Sequence, residues 1–244
     1  MQKLLLVSLA AAAGLATAPV CRGGYVNRPF VAGQNLFANP LQAAPNNLLS
    51  TLFFYPPPEG TRVSLWNPTT QSFGAPALFQ SGNWSANYLL APGTGALLVA
   101  PTAFINTFVG AVLAPDGSAW NGDPPVPHPP AFSGPDGVYL LSCKAPLALG
   151  VGSPVLPVFD YVIGRAPHAG EQFTWLDEAA QAYHTTTFTG GVWDHGNPVL
   201  GIGRSANFNL GPVPIPEPST AGLLALSLAG LLAARPRKQN TPGH

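Results

Sequence analysis

The chain has 244 residues with 10 basic and 10 acidic side chains, so charge makes up 8% of it, against about 25% in an ordinary soluble domain. That excludes nucleic-acid binding by counterion release and a coiled coil or long helical bundle, which need charged and helix-favouring residues at helical spacing. The 27 glycines and 29 prolines would argue for disorder, but 46% apolar and 10% aromatic residues argue for a chain that collapses, and the expectation is a turn-rich, mainly β protein.

In chain order, residues 1–18 read as a secretory signal peptide. Lys3 gives the positive start, and Leu4 to Ala16 is an apolar run of 13 residues, short of the roughly 20 that span a bilayer. Gly14-Leu15-Ala16 and Ala16-Thr17-Ala18 both offer small residues to signal peptidase, and Pro19 disfavours the second. Export implies the Sec translocon. It also places Cys21 and Cys143, the two cysteines, where one disulfide can form, tying the N-terminal arm to the second half of the chain.

The middle of the chain contains an internal duplication. Gly60–Phe73 aligns without gaps on Gly170–Tyr183, matching Val63 with Phe173, Asn67 with Asp177 and Gln71 with Gln181. Phe79–Trp84 then lies over Phe188–Trp193, Gly93-Thr94-Gly95 over Gly201-Ile202-Gly203, and Gly33–Leu36 over Gly137–Leu140. One pair resists: Leu65-Trp66 faces Trp175-Leu176, and a one-residue shift in a strand moves a side chain to the opposite face. Either the register slips there or one copy uses its indole differently. Each copy reads as short strands separated by turns. These are strands over Arg62–Trp66 and Gln172–Leu176, turns at Asn67-Pro68 and Asp177-Glu178, a doubly buried strand over Ala96–Val99, and a strong strand over Phe104–Leu113. Two related β domains of sandwich or barrel type, 32–113 and 137–213, are therefore expected. Between them, 114–136 is proline-rich and should be an extended, semi-stiff linker. The pattern at Gly33–Leu41, Trp66-Asn67, Gly82–Trp84 and Leu90–Gly95 is similar to a β repeat of secreted bacterial surface proteins, and implies location rather than chemistry.

At the C-terminus three unlike elements follow in order: Pro216-Glu217-Pro218-Ser219-Thr220, an uncharged stretch Ala221–Ala234 with six leucines, and the cations Arg235, Arg237 and Lys238. Prolines hold the first part extended, the second can enter a membrane, and the cations resist crossing it. The only helix expected in the chain is this hydrophobic tail. The arrangement at 216–238 resembles the PEP-CTERM sorting signal of Gram-negative bacteria. The resemblance implies exosortase as processing partner, a transient inner-membrane anchor, and release or attachment at the cell surface. With both ends removed, about 19–216 remains, carrying 6 basic and 9 acidic residues.

Groups that carry chemistry are few, and no cofactor, metal site or catalytic constellation is expected. His184, Asp194 and His195 lie across a hairpin of the second copy and could bind a metal or act as an acid/base pair, yet their repeat equivalents near Gly74, Ser85 and Ala86 carry no such groups, so polar side chains facing water are the preferred reading. Asp116, Ser118, Asn121 and Asp123 are oxygen-rich but lack the spacing of a calcium loop. Gly201-Ile202-Gly203 lacks the third glycine of a dinucleotide loop, and Ser205 lacks the glycine of a nucleophile elbow. Asn83-Trp84-Ser85 is a formal glycosylation sequon. Trp84, Tyr88 and Trp193 either stack on sugar rings or fill the core of each copy, with core preferred. The resemblance to PEP-CTERM proteins implies association with exopolysaccharide and biofilm, so the first functional expectation is a non-enzymatic surface or matrix protein. A carbohydrate-binding module and, last, a secreted hydrolase are the alternatives.

Overall fold

The computed structural model describes residues 23–120, 126–153 and 157–211. The first half contains β1 (Gly23–Phe30), β2 (Gly33–Ala38), the short helix α1 (Leu49–Leu52), β3 (Arg62–Asn67), β4 (Ser72–Phe73), β5 (Ala77–Gln80), β6 (Asn83–Trp84), β7 (Gly95–Ala100) and β8 (Phe104–Ala111). The second half contains β9 (Gly137–Leu141), β10 (Leu149–Gly150), α2 (Val158–Val162), β11 (Gln172–Asp177), β12 (Ala182–Thr189), β13 (Val192–Trp193), β14 (Val199–Leu200) and β15 (Ala206–Leu210). The protein is mainly β, as the composition implies. The two helices correct the expectation that only the tail is helical: each is one turn or little more, placed between the second and third strands of its half.

The two main sheets run in the same order. The first is β2-β7-β3-β5-β6 with β4 beside β3, and the second is β9-β15-β11-β12-β13. All pairings within them are antiparallel. Where β12 is continuous, the first half is divided into β4 and β5, because Gly74-Ala75-Pro76 intervenes and proline has no N–H to give a ladder. Both sheets end in two-residue hairpins, Ser81-Gly82 and Gly190-Gly191, with positive φ at both central residues. This backbone twist suits a tight antiparallel hairpin.

Each half has its own core. In the first, Phe53 lies 5.5–6.4 Å from the rings of Phe30, Phe37, Trp84, Phe104 and Phe108. The antiparallel ribbon β1–β8 supplies Phe30 and Phe108 to this core, so a boundary at residue 32 would cut off a strand the core needs. In the second, Phe159, Phe173 and Phe208 pack edge-on at 5.3 Å, and the covering layer comes from the proline-rich segment. Trp120, Val126 and Phe132 lie on that core, the Phe132 N–H donates to the Ile163 carbonyl at 2.7 Å, and His128 stacks on Tyr161 at 4.6 Å. Residues 126–136 contain no strand or helix, but they are packed against the second half rather than left as a tether.

The halves pack on each other around a pseudo-twofold axis. Leu36, Leu140 and Leu176 form a third apolar cluster with Trp66, Phe73 and Leu97. The Gln71 Oε1 accepts from the Val138 N–H at 2.7 Å, while the Gln181 Oε1 accepts from the Gln34 N–H at 2.6 Å. Likewise the Gly93 carbonyl accepts from Ser142 N–H and the Gly203 carbonyl from Ala38 N–H. Gly93 therefore corresponds to Gly203, both at positive φ, and the sequence alignment of Gly93 with Gly201 is off by two residues. The strand β7 is also less enclosed than its composition implies: Ala96, Leu98 and Ala100 are buried in the first core, whereas Val99 is 36% exposed.

Candidate functional site

Asp194 and His195 stand on an exposed hairpin. Asp194 Oδ1 accepts from the Thr187 N–H at 2.8 Å and the Thr186 hydroxyl at 3.0 Å, and lies 2.8 Å from His195 Nδ1. The Thr187 N–H and then His195 hold the Asp194 carboxyl down at about 2. In the first half the Leu78 N–H is received at 2.8 Å by Ser85 Oγ, at the matching position. The carboxylate therefore does the hairpin's hydrogen bonding, as the hydroxyl does in the other half. His184 is engaged elsewhere, stacked on Trp175 at 5.4 Å. Among the described residues no three His, Cys, Asp or Glu side chains gather as metal ligands. Asp116 accepts from both the N–H and the hydroxyl of Ser118, which lower its pKa; Asn121 and Asp123 lie outside the described residues.

The rings of Trp84, Tyr88 and Trp193 are half-buried. Trp84 packs on Phe53 and Phe79, Trp193 on Phe159 and Phe188, and the Tyr88 hydroxyl donates to the Ala75 carbonyl at 2.7 Å. Each indole keeps one side on a surface groove, of about 180 Å³ at Trp84 and about 490 Å³ at Trp193. Cys143 is buried, its thiol pushed up to about 11 by burial; Cys21 lies outside the described residues. Ser205 sits in the interface between the halves and donates to the Phe37 carbonyl at 3.0 Å.

Two features escape sequence reasoning. Glu178 is buried and held by Arg28, also buried, and by Arg204 at 3.3 Å. It joins β1 of the first half to the β11–β12 turn of the second. Burial lowers the Arg28 pKa against the pull of Glu178. The second is an open groove of about 780 Å³ between Phe54-Tyr55 and β8, with Thr107 and Val109 on its other wall. The sequence signal for it is the ring run Phe53-Phe54-Tyr55 placed where the following prolines 56–58 demand a loop.

The sorting-signal residues Pro216–Thr220, Arg235, Arg237 and Lys238, and the 1–18 signal peptide, lie outside the described residues. A family model for the PEP-CTERM protein-sorting motif matches residues 214–238. The chain carries a PEP-CTERM sorting signal. That signal makes exosortase its processing partner and the chain an exported protein bound for the surface or the extracellular space. No curated protein matches the chain, and no solved structure matches it either. Among the described residues no helix is long and apolar enough to cross a membrane.

Proposed function

We propose that the protein is a non-enzymatic component of the cell surface or extracellular matrix, held briefly in the inner membrane by its tail and then freed by exosortase. The observation that carries this reading is the sorting signal joined directly to a β body: β15 ends at Leu210 and the matched motif begins at 214. A non-enzymatic role is supported by what the polar side chains do. Asp194 caps a hairpin, Glu171 pairs with Arg165 at 2.9 Å and accepts from the His168 N–H, and Glu178 ties two halves of the body together. Low charge and short, turn-linked strands suit a polymer-rich exterior, where a matrix role includes contact with exopolysaccharide.

Intact-mass measurement and fractionation, in cells with and without the sorting enzyme, test this. The expected product lacks the hydrophobic tail and lies outside the inner membrane only when the enzyme is present. A full-length C-terminus held in the membrane of both strains would sink the reading.

A further inference from the structure

The most exposed aromatic rings among the described residues lie together. Phe54, Tyr55 and Tyr25 are 77%, 65% and 73% exposed, and all three belong to one face. Phe54 and Tyr55 form one wall of the 780 Å³ groove, and Val109 on the opposite wall is the cross-strand partner of Tyr25. The groove also adjoins a smaller one: Ser50 and Phe54 line both it and the groove beside Trp84. A path therefore runs from Trp84 past Phe54 and Tyr55 to Tyr25, with a ring at each stage. Between the rings stand neutral hydrogen-bonding groups. Asn27 and Thr107 face each other across β1 and β8 and are bonded at 2.7 Å. Ser50 and Asn87 bond each other, and Asn83 closes the Trp84 end. No residue lining either groove is charged.

We propose that this path is a binding groove for a neutral, extended polysaccharide chain, with Trp84, Phe54, Tyr55 and Tyr25 stacking on successive sugar rings. The proposal rests on the surface or matrix role above and names the ligand class for it. The pyranose C–H face meets a ring much as any apolar surface does, and its hydroxyls take the hydrogen bonds that the interleaved amides and hydroxyls offer. The absence of charge on both walls argues against an acidic polymer, which would need basic partners, and against an anionic lipid surface, which would need a basic cluster. The groove's volume lies within the range of ligand sites, but it is open along its length and unlike the enclosed pockets that bury small molecules. A chain ligand fits such an opening because it can enter and leave at both ends.

The test uses the full chain reconstituted in phosphatidylcholine nanodiscs, titrated calorimetrically with neutral hexasaccharides: β-1,4-glucan, β-1,3-glucan, α-1,4-glucan and β-1,4-mannan. Polygalacturonate serves as the charged comparison. At least one neutral hexasaccharide should bind, and Phe54→Ala with Tyr55→Ala together should weaken it about tenfold or more. Tyr25→Ala should weaken it less, and Tyr183→Ala, on an exposed ring outside the groove, not at all. Phe54, Tyr55 and Tyr25 project from the surface or line open space, while Tyr183→Ala gives up one hydrogen bond, from its hydroxyl to Gln34 Oε1 at 3.0 Å, and thermal unfolding of each variant shows whether it folds. Binding to none of the neutral chains overturns the proposal, as does binding to polygalacturonate alone or affinity indifferent to Phe54 and Tyr55. Concentration-dependent self-association lost in the same variants, with no glycan bound, would assign the groove to a second copy instead. Because nanodiscs need no processing, failure here is distinguishable from failure of exosortase sorting.

Discussion

Glu178 holds the most consequential charge among the described residues, buried with Arg28 and reached by the half-exposed Arg204. Removing one member of a buried pair leaves the other uncompensated, and such losses run to about 3–5 kcal/mol. Glu178→Ala should therefore destabilise the protein by about that much in equilibrium urea unfolding. Arg204→Ala, which removes a half-exposed partner, should cost under about 1 kcal/mol. The double variant Arg28→Met with Glu178→Leu should recover much of the loss, since an apolar pair needs no compensation. Asp194 supplies a pH-dependent counterpart. Folding depresses its pKa to about 2, below the ordinary value near 3.9. Its contribution is thus complete above about pH 4 and disappears as pH falls toward 2. Asp194→Ser, which copies Ser85 of the other half, keeps an acceptor for the Thr187 N–H without a titrating group. The urea midpoint of the wild type should fall more steeply than that of the serine variant between pH 4 and 2. Parallel curves would mean that His195 and Thr187 hold the carboxylate no better than water does.

At the scale of elements, the sequence made the strands legible where alternation was clean and left their partners open. β3, β8 and β11 fall within a residue or two of where composition places them, because Val, Phe, Ile and Trp fill a half-buried pleat well. Leu65-Trp66 against Trp175-Leu176 is decided by the structure. Leu65 and Trp175 both face their own cores, while Trp66 and Leu176 both enter the shared cluster between the halves. The register is the same and the large ring has changed sides, with the Trp66 indole N–H donating to the Val138 carbonyl across the interface at 2.7 Å. Nothing in one sequence marks which face meets a partner, so this was not readable beforehand. The two helical turns leave no sequence signal, because four or five residues carry too little periodicity to register. Gly95 tests the interface directly. A Cβ there would stand 2.6 Å from Leu140 Cγ and 2.8 Å from both the Leu140 carbonyl and Ser205 Cβ. Overpacking of this kind costs about 1–3 kcal/mol, and Gly95→Ala should show it in urea unfolding, with the upper figure expected because backbone is one of the obstacles.

At the scale of the whole molecule, the two halves solve one covering problem in different ways, and the difference bears on sorting. In the first half the chain after β7 returns as β8 and closes the core with β1. In the second half Trp120, Val126 and Phe132 of the proline-rich segment already cover the core. The chain after β15 is thus released from that duty and runs into the sorting motif. Ten residues separate Leu210 from Ala221, where the apolar run begins. Even fully extended they reach about 35 Å, so if the tail is inserted as proposed above, the body stays close to the bilayer and exosortase works in the gap. Deleting residues 212–215 shortens that gap by four residues, or about 14 Å of maximal reach, and leaves Pro216-Glu217-Pro218 and every described strand in place, while taking with it residues 214 and 215 at the start of the matched motif. The expected outcome is a stably folded protein whose cleaved fraction falls in cells carrying the enzyme, read by intact mass. Inserting four Gly-Ser residues in place of the deleted four should restore cleavage if length is what matters. If the deletion variant is cleaved as completely as the parent, the enzyme reaches its site without needing clearance from the folded body.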